Sequence, residues 1–343
     1  MSFLGIEILA LLGFLIASYS VVANDAIQTL GTFLSSNSKR PWWMLWIFAA
    51  AVLIIVMIYG FYTNNGDIAF GRLNRLPFPE GGVKWYHVLP PIVLLFLTRF
   101  GIPVSTTFLV LTVFALTGGA ETESVLGKML IKSGLGYIVA FGTGILIYAL
   151  ISRIWSRWIN NTRDVPLPYY WTLIQWASTA FLWWQWLAQD FANIFIFLPR
   201  TTTEIDGVVQ VSFNLPTLVF ATIVMVGLLG WVFKTRGGKI QEIVLSKTNT
   251  TDVRAATLID LMFALILYYF KGMNDIPMST TWVFLGLIAG RELAISYVAN
   301  LRPLKKAVRD VLLDMGKLFF GLIVSIILAV IVPWLATGNL ITL

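Results

Sequence analysis

Ile102-Pro103-Val104-Ser105-Thr106-Thr107 and Ile276-Pro277-Met278-Ser279-Thr280-Thr281 are two stretches of one pattern, and they decide how this chain folds. Each sits inside apolar sequence, and each sets a proline just ahead of hydroxyl side chains. Proline removes a backbone donor and ends a helix, and in lipid the freed N–H and C=O groups must be covered by protein or by a water-filled cavity. Around the first copy, Trp85 to Gly118 leaves arms of about 20 to 25 Å at 1.5 Å per helical residue, too short to span comfortably. The spacing predicts two re-entrant helical hairpins, each turning at a Pro-Ser/Thr tip. A second polar interruption precedes each hairpin: Ala23-Asn24-Asp25-Ala26-Ile27-Gln28 in the first half, Ala188-Gln189-Asp190-Phe191-Ala192-Asn193 in the second. The same interruptions recurring in the same order mark an internal repeat, with residues 1–165 as the first unit and 166–343 as the second.

Composition agrees that lipid is the solvent. Hydrophobic residues make up 58% of the chain and charged residues 12%, more apolar surface than a water-exposed protein of this size could cover. A crossing takes ~20 apolar residues, and runs of that order lie around Ile6 to Val22, Trp42 to Tyr62, Val125 to Ile151, Tyr169 to Leu187, Val211 to Phe233 and Val311 to Trp334. The runs from Val88 to Leu97 and Phe263 to Tyr269 are too short to cross alone. The opening residues, Met1 to Gly13, lack the basic region of a cleaved signal peptide and read as a retained helix. With no cysteine, thiolate metal sites and disulfides are excluded, and a single histidine, His87, leaves no room for a His-ligated metal. The net charge of +7 is spread among loops, as a topology signal rather than a nucleic-acid surface.

Lysine and arginine favour cytoplasmic loops. An outside N-terminus places Lys39, Arg40, Arg153, Arg157, Arg163, Lys234, Arg236, Lys239, Lys247, Arg254, Arg291, Arg302, Lys305, Lys306 and Arg309 inside, and leaves only Arg72, Arg75, Lys84, Lys128, Lys132 and Arg200 at the outer face. This works only if the first hairpin enters from outside and the second from the cytoplasm. The expected fold is thus an all-α polytopic membrane protein of two inverted-topology repeats, each with a broken first helix and a re-entrant hairpin, both termini outside. Such repeats place a binding site near the bilayer midplane. A plasma or bacterial inner membrane is the expected setting.

An ionised carboxylate deep in a membrane costs ~2.5 to 3.5 kcal/mol on insertion scales, so Asp25 and Asp190 call for a function. Asn24 and Gln28 accompany the first, Gln189 and Asn193 the second. Carboxylate, amide and backbone oxygens suit a hard cation such as Na+, with Asn24, Asp25, Asp190 and Asn193 as its candidate ligands. The tips, Ser105, Thr106, Thr107, Ser279, Thr280 and Thr281, add hydroxyls and helix N-termini, which favour anions; their plainer use is helix capping. Twelve residues thereby form one candidate substrate site, with Na+ or H+ as coupling ion and no other cofactor.

Ala23-Asn24-Asp25, followed by Gly31-Thr32 and Ser36, resembles the signature of the PiT family of inorganic phosphate transporters, and Pro103-Val104-Ser105-Thr106-Thr107 resembles that family's hairpin motif. The likeness follows the chain in order and is strong at these four patches. Gln28 and Gln189 stand where the family has asparagine, Ile196 and Phe197 where it has Gly-Pro, and Phe108 and Trp282 where it often has histidine. The resemblance implies cotransport of phosphate with Na+ or H+, relatives that carry sulfate, and a homodimer. The expected function is cation-coupled symport of inorganic phosphate by alternating access. Alternatives are sulfate, bicarbonate or another small anion on the same scaffold, an intramembrane enzyme using the Asp25/Asp190 pair, and a channel. No Asp-rich pyrophosphate motif, base-paired nucleophile or Walker sequence supports an enzyme or ATP drive.

Other polar residues have plainer readings. Lys271 and Asp275, spaced i, i+4, suit an internal ion pair, with Lys271 or Arg99 as the alternative anion attractor. Asp260 falls near the cytoplasmic interface and His87 at an interface. Trp42, Trp43, Trp155, Trp158 and Trp171 read as interfacial anchors, and Gly286 and Gly290 as a small-residue packing face.

Overall fold

The computed structural model describes residues 2–338 apart from 4, 77, 80, 118–121, 163, 206–207, 237–251, 274–278 and 300–301. Its elements are α1 (Ile8–Val21), a π-helical turn (Val22–Ala26), α2 (Ile27–Ser36), α3 (Trp42–Thr63), a 3-10 turn (Trp85–Val88), α4 (Leu89–Arg99), a π-helical turn (Thr107–Leu111), α5 (Thr112–Thr117), α6 (Thr122–Asn161), α7 (Tyr169–Phe195), α8 (Leu215–Lys234), α9 (Val253–Met273), α10 (Thr280–Ala294), a third π-helical turn (Ile295–Ala299) and α11 (Leu304–Thr337). Short antiparallel ribbons, Ser2–Phe3 with Ile6–Glu7 and Thr201–Ile205 with Val208–Ser212, complete it. Among the described residues seven helices are long and apolar enough to cross a bilayer, and the chain is an integral membrane protein.

Lipid and protein sort the helices by polarity. Ile47, Ile55, Ile131, Ile138, Leu150, Ile154, Ile223, Ile323 and Ile327 point outward from α3, α6, α8 and α11, as surfaces solvated by acyl chains require. Helix α7 is the opposite case. Gln175, Ser178, Thr179, Gln185, Gln189, Asp190 and Asn193 lie along it and all are buried, because α1, α2, α3 and α9 pack around it.

The two ends of the bundle are fixed by contacts. At one, the end that carries the Thr201–Ser212 ribbon, Phe213 N–H donates to Gly66 O at 2.9 Å, and the Arg200 guanidinium donates to Leu76 O at 2.6 Å. At the other, Arg236 donates to Ser38 O and Arg254 to Thr162 Oγ1. Helices α1–α2, α3, α6, α7, α8 and α11 run between these ends.

The helices that flank each Pro-Ser/Thr segment return to the end they started from. The first hairpin starts and finishes at the ribbon end, where His87 Nε2 meets Thr117 Oγ1 at 2.9 Å across its base. Its proline works as predicted: α4 stops at Arg99, Gly101 turns at φ +66°, and helix resumes only after Pro103. The second hairpin starts and finishes on the far part of α6. Arg254, at the start of α9, bonds to Thr162, and Val298, beyond α10, accepts from Arg153 Nε at 2.8 Å. Its arms are longer than those of the first, 21 residues in α9 and 15 in α10 plus a π-helical turn of 5. Ile276, Pro277, Met278 and Asp275, and the side chain of Lys271, lie outside the described residues.

The polar interruptions differ in form from the expected pair of helix breaks. In the first half Asn24 and Asp25 sit in a π-helical turn that keeps α1 and α2 nearly continuous; one extra residue per turn frees backbone oxygens without a full break. In the second half α7 stays α-helical straight through Asp190 to Phe195. The glycine face performs as expected. A Cβ at Gly286 would lie 2.5 Å from Tyr137 O, and one at Gly290 2.1 Å from Phe141 O, so α10 runs backbone to backbone along α6.

Candidate functional site

The four polar patches converge on one buried point. Thr106 Oγ1 donates to Asp25 Oδ2 at 2.6 Å and accepts from Asn193 Nδ2 at 2.9 Å. The same Asn193 amide donates to Asp190 Oδ1 at 2.7 Å. Asp25, Thr106, Asn193 and Asp190 thus form one hydrogen-bonded line from the π-helical turn, through the first tip, to α7, and the two carboxylates sense each other's charge. All four side chains are at most 2% exposed.

The second tip closes the ring. Thr281 Oγ1 lies 3.3 Å from Asp25 Oδ1 and 3.4 Å from Val104 O, and Thr280 lies against Asp190. Phe108 and Trp282, which follow the two hydroxyl triplets, face each other with ring centroids 6.1 Å apart. The tips therefore touch.

Roles divide within each triplet. Ser105 Oγ accepts from Phe108 N–H and Ser279 Oγ from Trp282 N–H, both at 3.3 Å, so the serines cap the helices that follow. The threonines at 106, 280 and 281 face the carboxylates, and Thr107 receives a longer 3.4 Å contact from Asn193. Asn24 Nδ2 donates to Asp25 Oδ1 at 2.8 Å and to Val104 O at 3.2 Å, with Gln28 behind it at 3.4 Å from Asn24 Oδ1. Gln189 Nε2 donates to Leu267 O of α9 at 3.1 Å.

Three buried oxygens of α7 in this group accept no hydrogen bond from the described residues: Gln189 Oε1, Asp190 Oδ2 and Asn193 Oδ1. Unsatisfied buried acceptors are rare in proteins, and oxygens without a donor are what a cation requires. Asn24, by contrast, spends its oxygen on Gln28, so the open acceptors of the candidate cation group lie on the Asp190 side.

Several residues fall elsewhere. Arg99 is exposed at the end of α4 and does not face the threonines. His87 is 1% exposed, stacked on Phe114 at 4.6 Å; burial first, and then the nearby Lys84 charge, hold its pKa down at about 4, so it closes the hairpin base as a neutral ring. Asp260 lies outside the central site, as expected, and is covered by protein. It is wholly buried between α2, α7 and α9, accepting from the Thr32 hydroxyl on one oxygen and from Thr179 Oγ1, at 2.5 Å, on the other. Gln175 and Asn37 extend that cluster towards Arg40.

Two contributors escaped the sequence reading. Ser133 of α6 accepts from Ser279 N–H at 3.0 Å and steadies the second tip; nothing in an apolar helix distinguishes one serine from another. Arg72 belongs to the loop between α3 and the first hairpin. It is 7% exposed, and its positive charge lies on the Asp190 side of the site. Its position in a loop hid it.

No family model and no curated protein matches this chain. Among solved structures its fold is similar to that of the sodium-dependent phosphate transporter, with a TM-score of 0.59, 14% identity, and coverage of 97% of this chain and 98% of that one. At this identity the likeness shows a shared fold over nearly the whole length.

Proposed function

We propose that this chain is a secondary active transporter that carries inorganic phosphate together with Na+ or H+ by alternating access. One observation carries the proposal: the Asp25–Thr106–Asn193–Asp190 line joins both hairpin-bearing halves at a buried, donor-poor cluster of oxygens. The scaffold is read as two antiparallel copies, 1–165 and 166–343, supported by hairpins based at opposite ends whose tips meet. The structural neighbour is by name a sodium-dependent phosphate transporter, and sodium and phosphate both suit the chemistry of this cluster.

The coupling is electrostatic. An anion entering a pocket with two carboxylates is repelled unless cations accompany it, so each makes the other bind more tightly, reciprocally. Na+ or H+ neutralises Asp25 and Asp190, with the free oxygens of Asp190, Asn193 and Gln189 as ligands. The oxyanion then docks on Thr106, Thr107, Thr280 and Thr281 at the helix starts capped by Ser105 and Ser279. Hydrogen phosphate keeps a proton that a carboxylate can accept, whereas sulfate offers only acceptors. The carboxylates therefore favour phosphate over sulfate, by leaving sulfate with an unrelieved like-charge contact.

The test is uptake of labelled phosphate and labelled sulfate into proteoliposomes under imposed Na+ and pH gradients. Phosphate accumulation that collapses with one of the cation gradients is the expected result. Sulfate accumulation in its place transfers the proposal to that anion, and no movement of either anion by folded protein removes the carrier reading.

A further inference from the structure

Helix α10 runs alongside α6 in the same direction. A Cβ at Gly144 of α6 would lie 3.0 Å from Arg291 N, and further along Arg153 Nε of α6 donates to Val298 O, in the π-helical turn Ile295–Ala299, at 2.8 Å. Between these two contacts α6 carries Tyr148, Ser152 and Trp155. Spaced i, i+4 and i+7, they share one helix face over about 10 Å.

The donors along this strip have nothing to donate to. Among the described residues Arg291 Nε, Trp155 Nε1 and Ser152 Oγ are buried without a hydrogen-bond partner, and Ser152 is 2% exposed. The Arg291 guanidinium lies over the Tyr148 ring, 5.4 Å from its centroid. Other arginines at this end are answered, Arg254 by Asp252 at 2.7 Å and Arg302 by Glu292 and Asp310, whereas no carboxylate among the described residues pairs with Arg291. Arginine and tryptophan N–H groups can only donate, and buried polar groups without a partner are rare. The missing component is an acceptor, and beside an unanswered guanidinium an anionic acceptor is held best.

Depth identifies its source. The apolar run of α6 ends at Ile151, and Arg153 and Arg157, both exposed, follow. Trp155, Trp158 and Trp171 stand together with ring centroids 5.2 to 6.3 Å apart, as in the aromatic belt of a bilayer interface. The strip therefore straddles the boundary between acyl chains and headgroups, with exposed Arg153 and Tyr297 at its lip. Basic pockets between membrane helices at that depth bind anionic headgroups.

We infer that the strip between α6 and the junction of α10 with its π-helical turn is a binding site for the phosphate headgroup of an anionic phospholipid, held by Arg291, Trp155 and Ser152. Bound there, the lipid joins the second arm of the second hairpin to α6 beside the Arg153–Val298 contact and fixes the hairpin's base. The site is separate from the Asp25–Asp190 cluster, and the inference stands whichever solute the protein carries.

The test titrates lipid into delipidated full-length protein in a neutral detergent and reads the unfolding temperature, while native mass spectrometry counts the lipid retained. The probes are dioleoyl phosphatidylglycerol, dioleoyl phosphatidylcholine and inorganic phosphate. Wild type is expected to retain phosphatidylglycerol and to be stabilised by it, and not by phosphatidylcholine. Arg291→Gln raises the half-saturating phosphatidylglycerol concentration roughly tenfold, the worth of one hydrogen bond to a charged group. Trp155→Phe keeps a ring and removes the donor, and raises it roughly threefold; it is the decisive variant if Arg291→Gln does not fold. Arg309→Gln, at a side chain 69% exposed on α11, leaves it unchanged and separates the site from a general charge effect. Any response to inorganic phosphate is expected to be equal in wild type and Arg291→Gln. A phosphate response lost in Arg291→Gln reassigns the strip to a free oxyanion and overturns the lipid inference. Equal responses to the two lipids, or an unchanged phosphatidylglycerol titration in the folded variants, overturn it as well.

Discussion

Replacing Thr106 by valine keeps the shape of the side chain and deletes one hydroxyl, the group through which the first hairpin tip touches both polar helices. Its donation to Asp25 is lost outright. Asn193 loses one acceptor at 2.9 Å but keeps Asp190 at 2.7 Å and Thr107 at 3.4 Å, so the cost is dominated by the 2.6 Å bond to the carboxylate. Hydrogen bonds to charged groups contribute about 1.5 to 3 kcal/mol in soluble proteins, while cycles within membranes average about 0.6 and reach about 1.7 kcal/mol. A loss of about 1 to 2 kcal/mol follows, or a rise of roughly 5- to 30-fold in the half-saturating anion concentration. In an Asp25→Asn background the bond is neutral, and the same substitution should cost about 1 kcal/mol less. The assay is the unfolding free energy in mixed micelles of wild type, Thr106→Val, Asp25→Asn and the double variant, with anion uptake measured for Thr106→Val. Strict additivity of the two substitutions, or unaltered uptake by Thr106→Val, would refute the contact as the link between the halves.

Three further outcomes are expected. Asp25→Asn and Asp190→Asn each abolish cation-dependent uptake while the protein still elutes as a folded species; normal uptake by both removes the carboxylates from the mechanism. Gly290→Leu places a Cβ 2.1 Å from Phe141 O, and overpacking of that kind costs ~1 to 3 kcal/mol or more, so expression or thermal stability should fall sharply where Gly227→Leu, with open space around it, is tolerated. His87, with its pKa held down at about 4, stays neutral in the folded protein while the unfolded chain takes up a proton near pH 6.5. Stability is therefore fully present above pH 6.5 and falls as the pH drops towards 4, by about 3 kcal/mol; His87→Gln should flatten that part of the profile.

Much of this was legible because membranes limit the options. Pro103 inside apolar sequence had to mark a covered turn, and His87 against Thr117 closes the predicted hairpin. Asp25 and Asp190 were conspicuous because buried charge in lipid is costly, and they proved to be joined by Thr106 and Asn193. Which hydroxyl does which task was not legible. Ser105 and Ser279 carry the same chemical group as their threonine neighbours, and only backbone direction makes them caps. The second polar interruption looked like a helix break, yet α7 stays wound through it, its amides reaching Leu267 O, Thr106 and Asp190 through side-chain groups without releasing the backbone. The partners of Asp260 were hidden for a related reason: Thr32 and Thr179 come from two other helices, and no local pattern announces a tertiary pair. Arg72 was invisible because hydropathy assigns any charged loop to water.

Helix α6 has 40 residues, about 60 Å at 1.5 Å per residue, against a hydrocarbon layer of ~30 Å. Its surplus stands outside the acyl region, and through Thr162 and Arg153 it carries the base of the second hairpin. A hydrophobic stretch longer than the hydrocarbon layer tilts to fit it, and a tilt of α6 takes the base of the second hairpin with it.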